Sequence, residues 1–167
     1  AGNPEITAKG ENYEAFKEAL HYIDMSLAKM MAKDGEGATT LFETKVINAA
    51  TKQDARTLAR SVIGSSLCKT AIYGNDANFG RFLCALGYAG VSFDPEKVAL
   101  YFENEDKSIL IYKDGAAVEY SEEEATKVLA SPEVRVLVDM HMGDAEAVAW
   151  GCDLSYDYVK INADYRS

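Results

Sequence analysis

Cys68-Lys69-Thr70-Ala71-Ile72-Tyr73-Gly74-Asn75-Asp76-Ala77-Asn78-Phe79-Gly80-Arg81 is the stretch on which the reading of the fold turns. Ala71-Ile72-Tyr73 reads as a short strand. Gly74 to Asn78 then breaks it, because glycine tolerates positive φ and Asn and Asp bond their own nearby backbone. Phe79 to Leu86 reads as a helix entered from Asn78, a residue type suited to the N-cap. A strand, a polar loop and a helix N-terminus aim free N–H groups at one spot. An ordinary strand-to-helix connection has the same signature. The stretch lacks the Lys-Ser/Thr of a phosphate-binding loop. Arg81 is able to fork a carboxylate or to pair with a nearby Asp.

Upstream, residues 1–10 are polar and contain Pro4, and read as a lead-in. From Tyr13 to Met31, Phe16, Ala19, Leu20, Ile23, Leu27, Met30 and Met31 recur at three- and four-residue spacing. That spacing predicts an amphipathic helix with one stripe facing a core, and His21 beside it is expected to be partly buried and structural. Thr39 to Ala50 is rich in β-branched and aromatic residues and reads as a strand. Thr51 with Asp54 forms a capping box for a helix that turns Ala55, Leu58, Ala59, Val62 and Ile63 inward and stops at Gly64-Ser65-Ser66. Downstream, Val98–Phe102 and Ser108–Tyr112 read as a hairpin, with a further short strand to Tyr120. Ser121 and Glu124 cap a helix ending before Pro132. Val134, Val136 and Val138 alternate along a strand. Ala145–Trp150 and Ser155–Asn162 read as two last strands. Strands and helices mix without a regular βαβ repeat, so the expected fold is α+β (mixed α/β), a mixed sheet with packed helices.

The 167 residues suit one domain. A formal charge of −10 makes nucleic acid and anionic membranes poor partners. No window is apolar enough to span a bilayer, and Ala1-Gly2-Asn3-Pro4-Glu5-Ile6 has no signal-peptide pattern. Cys68, Cys84 and Cys152 are odd in number and far apart, as expected of reduced, buried thiols in a cytosol-like compartment. His21 and His141 are the only histidines, too few and too far apart for a histidine zinc site or a Ser-His-Asp triad. No metal or cofactor is expected.

Two further stretches are able to carry chemistry. In Asp34-Gly35-Glu36-Gly37-Ala38-Thr39, a carboxylate on a glycine-flanked turn can be aimed at an ammonium group, although a solvated acidic turn has the same composition. At the end of the chain, Trp150 to Ser167 keeps a tryptophan and three tyrosines almost to its last residue, which predicts a docked terminus able to offer side chains and a carboxylate to a ligand.

Taken together, K-D-G-E-G-A-T (Lys33 to Thr39), K-T-A-I-Y-G-N-D-A-N-F-G-R (Lys69 to Arg81) with A-L-G-Y-A-G-V-S-F-D-P (Ala85 to Pro95), and W-G-C-D-L-S-Y-D-Y-V-K-I-N-A-D-Y-R-S (Trp150 to Ser167) resemble one family. The chain is similar, over essentially its whole length, to the C-terminal part of ornithine acetyltransferases, also called glutamate N-acetyltransferases, of the cyclic arginine pathway. The resemblance implies a precursor that cuts itself before a threonine. That threonine then starts a β chain and is the nucleophile, with its own amine as base. It implies acetyl transfer from N-acetylornithine to glutamate, acetyl-CoA as a further donor in some members, an oxyanion hole from an α chain, and an α2β2 assembly.

Carried over by motif, Glu36 resembles the family's substrate-binding glutamate, and Asn162 and the terminal Ser167 resemble its two C-terminal substrate contacts. A carboxylate suits a cationic amine, while an amide and a hydroxyl suit a carboxylate or amide. No role is carried over for Asp76, Asn78 or Arg81, for which scaffolding is expected. The resemblance implies that the nucleophilic threonine precedes Ala1. Ala38-Thr39 lies in the acidic turn and outside the family's cleavage motif, so this chain by itself is expected not to acylate. Two readings follow: the substrate-binding part of a cytoplasmic acetyltransferase, or a stand-alone amino-acid-binding or regulatory domain.

Overall fold

A computed structural model describes residue 2 and residues 5–165. Among the described residues, six α-helices and six strands alternate irregularly along the chain: α1 (Glu11–Lys33), β1 (Leu41–Ala49), α2 (Lys52–Gly64), α3 (Ser66–Tyr73), α4 (Phe79–Gly87), β2 (Ala99–Glu103), β3 (Ser108–Lys113), β4 (Ala116–Ala117), α5 (Glu122–Leu129), β5 (Glu133–Asp139), β6 (Ala145–Cys152) and α6 (Tyr156–Asp164). The strands form one mixed sheet in the order β4-β3-β2-β5-β1-β6. β1 and β5 run parallel, and the other neighbours are antiparallel. The expected α+β mixture and the β2–β3 hairpin are both present.

Alternation along the central strands sorts their side chains onto two faces. Phe42, Thr44 and Val46 of β1 lie opposite Val134, Val136 and Val138 of β5, and Phe102 and Leu100 of β2 continue the same face. This face meets the inward residues of α2 (Ala55, Leu58, Ala59, Val62), α3 (Ala71, Ile72), α4 (Phe82, Ala85, Leu86) and α5 (Ala125, Val128, Leu129) in one buried core. Phe82 stands edge-on to Phe42 and Phe102, with ring centroids 6.3 and 5.1 Å away.

Short helices in this fold begin where a hydroxyl satisfies an open N–H. Thr51 accepts from Asp54 N–H (3.0 Å) at the start of α2, Ser121 from Glu124 N–H (3.3 Å) at α5, Ser65 from Cys68 N–H (3.4 Å) at α3 and Ser155 from Tyr158 N–H (3.2 Å) at α6. The last two caps overturn two expected strands. Ala71-Ile72-Tyr73 is the last turn of a helix, and Ser155–Asn162 is the cap and most of the length of another. In both, the cap at the preceding serine outweighs the β-propensity of a few residues. The strand expected to reach Tyr120 pairs only over Ala116–Ala117. The helix from Asn78 is present, although no side-chain bond from Asn78 caps it.

The other sheet face is mixed and half-buried, with Glu43 and Lys45 of β1, Arg135 of β5 and Glu103 of β2 among Ile47, Tyr101, Leu137 and Trp150. α1 lies over this face near β1 and β6. Its apolar stripe does not face a core among the described residues: none of its residues is buried, and Phe16 (57%), Leu27 (51%) and Met30 (65%) are exposed. The helix is present, but the side turned to the sheet is that of Met25, Ala28, Lys29 and Ala32 and not the expected stripe, and His21 is exposed and not partly buried. The expected docked end is held at its base, where Asp153 and Ser155 are buried and Ser155 bonds Gly37 O, but the helix that follows is not sunk into the core. α6 has no buried residue and exposes Tyr156 and Val159. Its Tyr156 ring does stand edge-on to Tyr73, with centroids 5.6 Å apart.

Candidate functional site

The acidic turn between α1 and β1 is shaped by its glycines. Ala38 N–H closes it onto Gly35 O (3.0 Å). Gly37 has φ of +65°, and a Cβ there would lie 2.8 Å from Tyr158 N and 3.0 Å from Asp157. Only glycine meets both the dihedral and the close approach to the first turn of α6. Ser155, besides capping α6, donates its hydroxyl to Gly37 O at 2.6 Å.

Glu36 stands at the tip of this turn, and the structure brings it to Asn162. Asn162 donates from Nδ2 to Glu36 Oε2 at 2.8 Å and to Tyr158 O at 2.9 Å, joining positions 126 residues apart. Both side chains are exposed. Two acceptors hold the amide nitrogen, so Asn162 has its carbonyl oxygen left to offer, beside a carboxylate. The pair is therefore a cluster of acceptors that suits a cationic or N–H-rich ligand, with the Asn162 amide nitrogen already donating to the Glu36 carboxylate. Ser167 lies outside the described residues.

The loop from Gly74 to Asn78 is braced by the arginine beyond it. Arg81 donates from Nη1 to Leu67 O and Thr70 Oγ1 (both 3.2 Å), and its Nη2 lies 3.8 Å from Asp76. These contacts tie α4 back to α3 and to the loop between them. The cysteines form no disulfide, but only Cys68 is buried, while Cys152 is intermediate and Cys84 exposed. Burial pushes the Cys68 thiol up to about 11, which leaves it a poor nucleophile. Among the described residues no cluster of His, Cys, Asp and Glu is placed to hold a metal ion, and no helix is long and apolar enough to cross a membrane.

A second polar cluster lies on the mixed sheet face, and no sequence motif signalled it. Glu43 is buried and accepts from Trp150 Nε1 (2.6 Å) and Arg135 Nε, with Lys29 Nζ 3.7 Å away. Burial pushes its carboxyl up, but the bonds from Trp150 and Arg135 and the charges of Arg135 and Lys29 outweigh that and hold it below the usual range. Glu43, Arg135 and Lys29 line a cavity of about 830 Å³ shared with Glu103 and Asn104. Glu36 and Asn162 are not part of its lining. Lys29 is the one α1 residue in that lining, while the turn-and-helix site lies at the end of β6.

Similarity to known proteins runs over the whole chain. It is 48% identical over 167 residues to the arginine biosynthesis bifunctional protein ArgJ 1 of Clostridium acetobutylicum, covering 100% of this chain and 41% of that protein. It is 49% identical over 156 residues to a glutamate N-acetyltransferase of Methanothermobacter thermautotrophicus, covering 91% and 39%. A crystal structure of the arginine biosynthesis bifunctional protein from Bacillus halodurans superimposes with a TM-score of 0.90 at 43% identity, over 98% of this chain and 75% of that one. The chain thus spans about two-fifths of the length of these curated relatives, at their C-terminal end. With residues 2–167 matching throughout, the chain belongs to the ArgJ family.

Proposed function

We propose that these residues form the substrate-binding part of an acetyltransferase that moves an acetyl group from N-acetylornithine to glutamate. The observation that carries this reading is the 2.8 Å bond joining Glu36 to Asn162, since it unites two separate motifs into one exposed acceptor pair. In this reading the side-chain ammonium of ornithine sits against the Glu36 carboxylate. A threonine hydroxyl from the preceding part of the protein attacks the acetyl carbonyl and passes its proton to the threonine amine. The threonine ammonium gives that proton to the leaving nitrogen as its bond to the acetyl carbon breaks and ornithine departs; the neutral amine of glutamate then attacks the threonine ester, and its proton returns to the freed threonine oxygen as the acetyl group is transferred. Ser167 completes the substrate contacts, and acetyl-CoA enters only as an alternative acetyl donor.

The partner is the rest of the same protein. The relatives carry about three-fifths of their length outside the part that matches this chain, and the apolar stripe of α1 has no cover among the described residues. We assign that stripe to the preceding α chain, with two such pairs in an α2β2 assembly.

Calorimetric titration tests the substrate assignment. N-acetylornithine and ornithine are expected to bind the complete protein, and Glu36→Gln is expected to weaken both by about tenfold to a hundredfold, the worth of one charge-assisted bond. Equal affinities in the two forms overturn the role of Glu36. Full affinity in the 167-residue chain alone favours a stand-alone amino-acid-binding domain.

A further inference from the structure

We propose that Asp153 is the positioning residue of the Glu36–Asn162 pair, a latch between the two backbones that carry them; this rests on the substrate reading above. Asp153 is 3% exposed and lies in the connector between β6 and α6. Its carboxylate accepts from Thr39 N–H (2.8 Å), Thr39 Oγ1–H (2.6 Å) and Thr40 N–H (3.1 Å), and its own N–H donates to Thr40 O (3.2 Å). Leu154 N–H, one residue on, donates to Lys69 O (3.2 Å) and ties the connector to α3. Thr39 follows Glu36 by three residues, and Asp153 precedes the first residue of α6 by three.

The geometry around the latch leaves little slack. Beside Gly37 stands α6, and a Cβ on Gly35 would lie 2.5 Å from Cys152 Sγ. Glu36 and Asn162 are themselves exposed and share one hydrogen bond. That bond alone does not fix two solvated side chains, because water competes for both partners. Their separation is therefore set by what is fixed beneath them. A buried carboxylate holding three donors fixes it: releasing the Thr39 hydroxyl leaves Oδ2 without a partner, and releasing either amide takes one of the two bonds from Oδ1.

The test uses the complete protein and reads two quantities: the KM for N-acetylornithine against kcat, and hydrogen exchange at the Thr39 and Thr40 amides. Asp153→Ala is expected to speed exchange at both amides and to raise KM by about tenfold or more with a smaller change in kcat. Glu36→Gln added to Asp153→Ala is expected to raise KM by less than about twofold further, because the two act through one contact. Asp153→Asn is expected to keep KM within about threefold of the parent, since its oxygen takes both amides and its NH2 meets the Thr39 hydroxyl. Thr39→Val keeps both amides, removes one arm of the latch and is expected to give a smaller rise in KM; it carries the test should Asp153→Ala fail to fold. Unchanged KM in Asp153→Ala or Thr39→Val, beside a raised KM in Glu36→Gln, overturns the positioning role alone. Unchanged KM in Glu36→Gln overturns the substrate reading and the positioning role with it.

Discussion

At the scale of single residues, Glu43 and Glu36 show how differently one side chain type is used. Glu36 is exposed on a glycine turn and bonds one amide. Glu43 is buried on a strand and gathers an indole, a guanidinium and an ammonium. Its pKa is depressed, so the unfolded chain takes up the proton before the folded one. The stability it contributes is present above the ordinary carboxylate value of 4.5 and is lost as pH falls through the lowered folded value. Glu43→Gln offers a single acceptor oxygen to three donors. The variant is expected to melt below the parent at pH 7, and the gap is expected to narrow as pH drops below about 4.5. Melting temperatures taken from pH 7 to pH 3 check this, and a gap that stays constant removes Glu43 from the acid limb.

At the scale of elements, the same glycine-to-alanine change is expected to have opposite signs at a helix end and in the acidic turn. Gly64 is the last residue of α2, exposed, and a Cβ added there would meet nothing within 4 Å. Gly64→Ala is expected to stabilise by about 0.4–1 kcal/mol by restricting the unfolded chain. Gly37 combines positive φ with a backbone nitrogen 2.8 Å from where its Cβ would stand, so Gly37→Ala is expected to cost about 1–3 kcal/mol and to part the acidic turn from α6. Chemical denaturation of both variants decides this; a neutral Gly37→Ala would mean that the turn does not need its close contact. The elements also show what was legible in the sequence. Strong alternation placed β5, and capping boxes placed α2 and α5. In α3 and α6, A-I-Y and Y-D-Y-V-K-I-N carry strand-like residues, while the deciding feature was one serine just before each helix. Glu36 and Asn162 were legible through motifs. Their contact was not, because it joins distant positions through the latch at Asp153, a residue whose place between a strand and a helix left no local signal.

At the scale of the whole molecule, one face of the sheet is finished and the other is not. Helices α2 to α5 seal one face into the core, whereas among the described residues the opposite, mixed face carries α1 alone, and the stripe of that helix is bare. Periodicity shows that a helix has an apolar side and says nothing of what lies against it. The assignment of that side to the preceding α chain makes a two-part prediction. Ile23 and Leu27 are each 51% exposed, so Ile23→Glu with Leu27→Glu is expected to shift the stability of the isolated chain by no more than about 0.5 kcal/mol per site. In the complete protein the same pair is expected to cost about 1.5–3 kcal/mol per side chain, the worth of a fully buried apolar group, and to weaken association of the two chains. Melting of both proteins, with sedimentation of the complete one, separates the outcomes. A loss in the short chain would mean that α1 packs on its own sheet more tightly than its exposure allows. Identical behaviour in both proteins would mean that the stripe stays bare in the assembly and that the α chain docks elsewhere, most directly on the ion-lined cavity around Glu43.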